Sequence, residues 1–213
     1  MPAETAPSPR TWGPNDIPVP YVAAWTGESV MHMGLSVQPD GKGLCFANEE
    51  PADRDHQGVL WARLTDAPGT GTPRFPVMHS ARQRRAMREM LCQVCAGPAS
   101  RTSRGWLFLL THEPADGAVT NKPPLCEPCV GVALGHCPRL TDPFAVRVRR
   151  PRVWGVFGDQ WARGSGGILA PLPTDGYMPY GHPSARWFLA THLVLELDRM
   201  TRVPLPAGER STP

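Results

Sequence analysis

The sequence predicts a mixed α+β fold organised around a metal site, and three observations carry that expectation. Two Cys-x-x-Cys pairs, Cys92/Cys95 and Cys126/Cys129, stand 30 residues apart. A stretch with helical periodicity runs directly into the first pair. Apolar stretches of strand length lie before, between and after the pairs. With 213 residues, 41% of them hydrophobic, the chain can bury a core of ordinary domain size. Its 26 prolines and 21 glycines exceed a fifth of the chain, so elements should be short and turns frequent.

Taken in order, residues 1–20 contain six prolines and read as an extended, mobile arm. Residues 21–77 read as a β-rich segment. Leu35, Val37, Leu44 and Phe46 flank the turn-forming stretch from Gln38 to Gly43, which suggests a hairpin. Val59-Leu60-Trp61 could add a strand, and residues 66–76, rich in Gly, Pro and Thr, read as a linker. Residues 78–140 carry a basic helix and the cysteines. The helix should start at Ser80, with Ser80 and Gln83 forming a capping box. Ala86, Met87, Met90 and Leu91 fall on one side of it, and Arg82, Arg84, Arg85 and Arg88 on the other.

Trp106 to Leu110 reads as a buried strand. A turn at Pro114-Ala115-Asp116-Gly117 lets Ala118-Val119-Thr120 return beside it, making a hairpin over 105–121. A short helix should start near Cys126 and end before Pro138. Residues 141–202 then supply two strands within Phe144–Phe157, broken at Pro151, and a loop at Gly164–Gly167. A helix follows over about 185–200, although its β-branched and aromatic content leaves a strand open. Residues 203–213 read as a Pro-rich tail.

A two-residue gap lets both sulfurs of a Cys pair turn toward one point, and two such pairs complete a tetrahedron of thiolates. Zinc prefers that set, with Zn–S near 2.3 Å. Four Cys ligands leave no open position for water, so the expected ion is structural and its binding energy is folding energy. Two other readings are a redox pair at Cys126/Cys129 on a helix N-terminus and buried thiols without metal. Cys137 lies eight residues beyond Cys129, too far along one helix to share the ion, and reads as helix-end packing; His136 is its neighbour. Cys45 reads as a strand-core thiol.

The order of knuckle, hairpin and Cys-x-x-Cys at a helix start resembles a treble-clef zinc finger over residues 92–137. The fold expected is therefore a treble-clef-like finger embedded between a β-rich N-terminal part and a C-terminal strand–helix segment. Cys92–Pro98, Leu125–Cys129 and His136–Leu140 also resemble uncharacterised cysteine-pair zinc-binding proteins of GC-rich bacteria, a resemblance that implies no activity. The finger further resembles the HNH nucleases, in which a His ends a hairpin strand and an Asn precedes Cys-x-x-Cys. That resemblance would make His112 a general base, with Asn121 five residues before Cys126. Thr111 stands where the pattern has an acidic residue, and Val130 where it has His or Asn, so the pattern is degenerate. The sequence has neither a phosphate-binding P-loop nor a Gly-x-Ser-x-Gly elbow.

Net charge is only +3, but it is uneven: residues 78–105 carry six arginines against one glutamate, and residues 144–163 five against one aspartate. Arg147, Arg149, Arg150 and Arg152 make the second basic patch, with Arg147 and Arg149 on one strand face. Both patches suit phosphate contact, to nucleic acid, or contact with an acidic protein; ordinary solvated faces would look the same. No window is apolar enough to span a membrane, and no secretory leader opens the chain, so a cytoplasmic location with reduced thiols is expected. The functional expectation is a non-enzymatic zinc-stabilised binding protein, with a divergent HNH-type nuclease and a protein-interaction scaffold as alternatives.

Overall fold

The two longest strands, 144–163 and 188–203, pair antiparallel along most of their length. The computed structural model describes residues 7–31, 34–113, 115–164 and 168–205. Its first strands are β1 (Arg10–Trp12), β2 (Ile17–Val19), β3 (Ala23–Trp25), β4 (Val30–Met31), β5 (Leu35–Val37) and β6 (Leu44–Phe46). Next come β7 (Leu60–Trp61), β8 (Arg63–Leu64), β9 (Pro73–Met78) and helix α1 (Ser80–Glu89). The cysteine region holds β10 (Arg101–Thr102), β11 (Gly105–Leu110), β12 (Ala118–Thr120) and α2 (Glu127–His136). Last are β13 (Phe144–Arg163), β14 (Leu169–Pro171), β15 (Tyr177–Pro179) and β16 (Phe188–Val203). The result is a sheet-rich α+β fold with two helices among the described residues.

The main sheet has eight strands, with the order β10–β11–β13–β16–β12 along its principal path. β15 and β14 pair with the later part of β13, and β7 runs parallel to β16 at Leu189 and Ala190. The sheet separates two apolar cores. Phe108 of β11, with Val146 and Val148 of β13, points to one side, where Met87 of α1 packs with Leu193, Leu195 and Leu197. Leu107, Leu109 and Ala145 point to the other, against all four paired cysteines and Val130 of α2. The period-2 alternation of strand side chains thus divides one apolar run between two cores.

Several expectations are corrected. Residues 185–200 are mostly strand: Pro183–Trp187 makes a 3₁₀ turn capped by His182, and β16 begins at once. An apolar run buried on both faces carries neither a helical nor an alternating period, which is why the pattern did not decide. Pro151 does not break its strand. It pairs across to Leu197, in a stretch between Val148 and Gly155 where β13 has no described neighbour on its other edge. Proline is tolerated at such an edge because it forfeits no ladder bond there.

The hairpin over 105–121 does not form. β11 pairs with β10 and β13, whereas β12 pairs with β16 on the far side of the sheet. The capping box is also replaced. His79 is the N-cap, its Nδ1 accepting from the Arg82 amide, while Gln83 is wholly buried and bonds elsewhere. Within the expected arm, β1 and β2 pair, and the Gly/Pro stretch read as a linker runs into β9, which pairs with β3. The expected β5–β6 hairpin, α1 and the helix after Cys126 are present. Residues 1–6, 165–167 and 206–213, parts of the arm, loop and tail readings, lie outside the described residues.

Candidate metal centre

α1 ends at Met90 in the left-handed conformation, and the chain turns directly into Cys92. A tight knuckle follows. The Cys92 amide donates to Gly97 O at 2.7 Å, the Ala96 amide donates to Cys92 O at 3.0 Å, and Leu91 bridges Pro98. Ala96 takes φ +63° to close this turn. The second pair sits at a helix start: Cys126 is the N-cap of α2 and Cys129 lies in its first turn. The Glu127 amide, an orphan donor of that first turn, is satisfied by Ser100 Oγ at 2.9 Å.

Cross-links hold the two pairs together. The Gln93 amide donates to Pro124 O, Ser100 to Leu125 O, and Leu125 to Leu107 O of β11. The N-terminal segment adds Tyr21 to Val94 O and Val22 to Gln93 O. Arg147 closes the assembly from below. It is 4% exposed, donates to Ser100 O and Gly105 O, and pairs with Glu127 of α2.

All four sulfurs are buried and lie within 4.8 Å of one another. Cys126 Sγ is 3.6 Å from Cys92 Sγ and 3.7 Å from Cys95 Sγ. A disulfide needs about 2.05 Å, so these are free thiols. A tetrahedron with ligand bonds of about 2.3 Å has edges of about 3.8 Å, so the donor set fits a single ion at its centre. Burial raises the Cys92 thiol, but amide hydrogen bonds from Cys126, Cys95 and Val94 outweigh it and hold the group below its ordinary value. Burial pushes Cys95 up to about 12 and raises Cys129 as well. A central cation would let all four ionise together. These four buried cysteines could therefore hold a metal ion. His136 and Cys137 are both exposed and stand outside the cluster.

Glu28, Asp66 and His79 form a second group with ligand-type atoms within 4.8 Å. Arg82 already supplies its cation. It meets Glu28 at 2.6 and 2.8 Å, pairs with Asp66, and donates to Ala23 O at 2.8 Å. His79 Nε2 lies 3.1 Å from Thr65 O, and its Nδ1 accepts from the Arg82 amide, so both ring nitrogens are engaged. Nothing in the sequence distinguishes Arg82 from its neighbours, and Glu28 lies 54 residues away.

The basic faces are likewise rearranged. Arg82 and Arg147 are buried and paired, so neither can serve a solvent-facing contact. Arg84 lies over the Trp61 ring at 4.3 Å, Arg85 pairs with Glu89 at 3.0 Å, and Arg88 is exposed. Arg152 pairs with Glu196 at 3.1 Å, while Arg149 and Arg150 are exposed. Arg147 and Arg149 both reach carbonyls of the 100–105 segment, Ser100 O and Gly105 O from the one and Ser103 O from the other, but only Arg149 is exposed.

The nuclease pattern is not assembled. β11 ends beside Phe144 and the Val203 end of β16, whereas Thr120 pairs with Leu195, eight residues back along that strand. That is about 27 Å of strand at 3.4 Å per residue. His112 is exposed with Nε2 near Thr111 Oγ1, and Asn121 is buried, its backbone carbonyl accepting from Gln83 Nε2. No helix among the described residues is long and apolar enough to cross a membrane. Compared with known protein families, curated proteins and solved structures, the chain has no match.

Proposed function

We propose that the protein is a non-enzymatic binding module built on one structural zinc ion at Cys92, Cys95, Cys126 and Cys129, and that nucleic acid is its partner. The observation that carries this reading is the buried quartet of sulfurs, spaced as the corners of a thiolate tetrahedron. Thiolate donors favour zinc among the common divalent ions. A sphere closed by four sulfurs leaves no position for a substrate or an activated water, which argues for a structural role. The order of knuckle, β10–β11 hairpin and Cys126 at the head of α2 supports the treble-clef class, with a hairpin other than the one expected. The nucleic-acid part rests on Arg88, Arg149 and Arg150, which are exposed and, among the described residues, have no carboxylate within 4.0 Å.

Two titrations on the reduced, metal-replete full chain test the reading. Chelation should remove one zinc per chain and abolish the tertiary signal around the knuckle. Binding of an oligonucleotide should weaken steeply with salt, because each arginine–phosphate contact releases counterions. Zinc loss with the fold intact contradicts the structural role, and salt-indifferent binding, or none, contradicts the nucleic-acid partner.

A further inference from the structure

We propose that Arg104, Arg149 and Arg199 form a phosphate-binding site, which takes a backbone phosphate of a nucleic-acid strand; this rests on the nucleic-acid reading above. The three come from separate parts of the chain. Arg104 sits in the β10–β11 turn, where Thr102 pairs with Gly105. Arg149 follows Val148, the residue at which β13 stops pairing with β11, and Arg199 lies on β16. Together with Met200 and Thr201 they line a cleft of about 240 Å³. That is room for a phosphate with part of its sugar.

Four features point to an anion. First, among the described residues no carboxylate lines the cleft. Second, among the described residues none of the three arginines has a carboxylate oxygen within 4.0 Å. Arg54, Arg63, Arg82, Arg85, Arg147, Arg152 and Arg202 have one, whereas Arg88, Arg101 and Arg150, which lie outside the cleft, also lack one. Third, Arg149 is oriented by its Nε, which donates to Ser103 O at 3.3 Å and leaves its terminal nitrogens for a ligand. A guanidinium fork offered in this way matches two phosphate oxygens.

The fourth feature is the backbone. Arg199 takes φ +55°, a left-handed conformation unusual for a long L side chain. It does so between the pairs Val148↔Met200 and Arg150↔Asp198, in the middle of a strand. Gly105 takes φ +108°, and a Cβ there would lie 2.0 Å from Val148 O. Only glycine lets the turn carrying Arg104 come this close to β13. Backbone outliers of this kind gather at binding sites, where the strain positions a side chain.

The test uses the zinc-loaded full chain and the variants Arg149→Gln and Arg199→Gly. Arg199→Gly removes the guanidinium while relieving the left-handed strain, so it should fold at least as well as the parent. Zinc content and thermal midpoint check both variants. The probes are a labelled single-stranded oligonucleotide, read by anisotropy, and inorganic pyrophosphate, read by calorimetry. The site predicts that each variant weakens both probes roughly tenfold, and that the salt slope for the single-stranded oligonucleotide falls by about 0.7 per arginine removed. Pyrophosphate binding that the variants abolish, with no oligonucleotide binding, keeps the phosphate site but overturns nucleic acid as its source and as the partner. Oligonucleotide binding unchanged in both variants overturns the site while leaving the partner reading in place. No binding of either probe overturns the site and the nucleic-acid partner, and leaves the zinc reading untouched.

Discussion

The Glu28 carboxylate has no exposed side-chain surface, and Arg82 meets both its oxygens, at 2.6 and 2.8 Å. Burial raises the Glu28 pKa, but the Arg82 and Trp25 hydrogen bonds and the Arg82 charge outweigh it and bring it below its ordinary value. The pair's contribution to stability is therefore present above the ordinary carboxylate range and lost as pH falls through the folded value. Arg82→Met leaves the carboxylate buried without its cation, at a cost of about 3–5 kcal/mol in urea unfolding near neutral pH. In that variant burial acts unopposed and raises the Glu28 pKa, so protonation relieves the penalty. The stability gap between parent and variant should narrow as pH falls toward the ordinary carboxylate range; a constant gap would show that Glu28 is not the group left exposed to the loss. Ala96 poses a smaller test. Its φ of +63° is one glycine adopts freely, so Ala96→Gly should raise stability by about 0.5–1 kcal/mol, read as an upward shift in thermal midpoint. An unchanged or lower midpoint would mean the knuckle does not strain that residue.

α1 is fastened to the sheet by one polar side chain as well as by Met87. Gln83 Nε2 donates to Asn121 O and Leu193 O at 2.8 and 2.9 Å, and its Oε1 accepts from the Leu193 amide at 2.9 Å. Gln83→Met nearly preserves the volume but leaves those buried backbone groups without partners, and should cost about 2–3 kcal/mol in chemical denaturation. A change below 0.5 kcal/mol, on the order of a surface substitution, would mean that water replaces the amide. Elements with a strong local signal were legible in the sequence. The turn stretch before Leu44 marked the β5–β6 hairpin, and the apolar stripe ending at Leu91 marked α1. What local pattern could not supply was pairing. β12 follows β11 after a short turn, yet it crosses to the edge of β16, because its register with Leu195–Leu197 is set by residues more than 70 positions away. The same limit hid the fate of Arg82 and Arg147, whose carboxylate partners lie 54 and 20 residues distant. The four cysteines were readable because a metal site demands particular residue types at particular spacings, whatever the strands between them do.

At the scale of the whole molecule, the sheet separates a core that contains the cysteines from one that does not. Removing the metal should therefore act on one side. Chelation under reducing conditions should strip hydrogen-exchange protection from the Cys92, Ala99 and Leu125 amides and from α2. The β13–β16 ladder, backed by Phe108, Val148, Leu193 and Leu197, should stay protected. Uniform loss across both cores would show that the two faces unfold as one unit. The knuckle and the seating of α2 against it depend on the sulfur quartet being a real coordination sphere. X-ray absorption at the zinc edge on the purified, reduced chain measures that directly. A real coordination sphere should show one zinc per chain with four sulfur neighbours at about 2.3 Å and no nitrogen or oxygen in the shell. A metal-free protein, or a shell of mixed ligands, would contradict it.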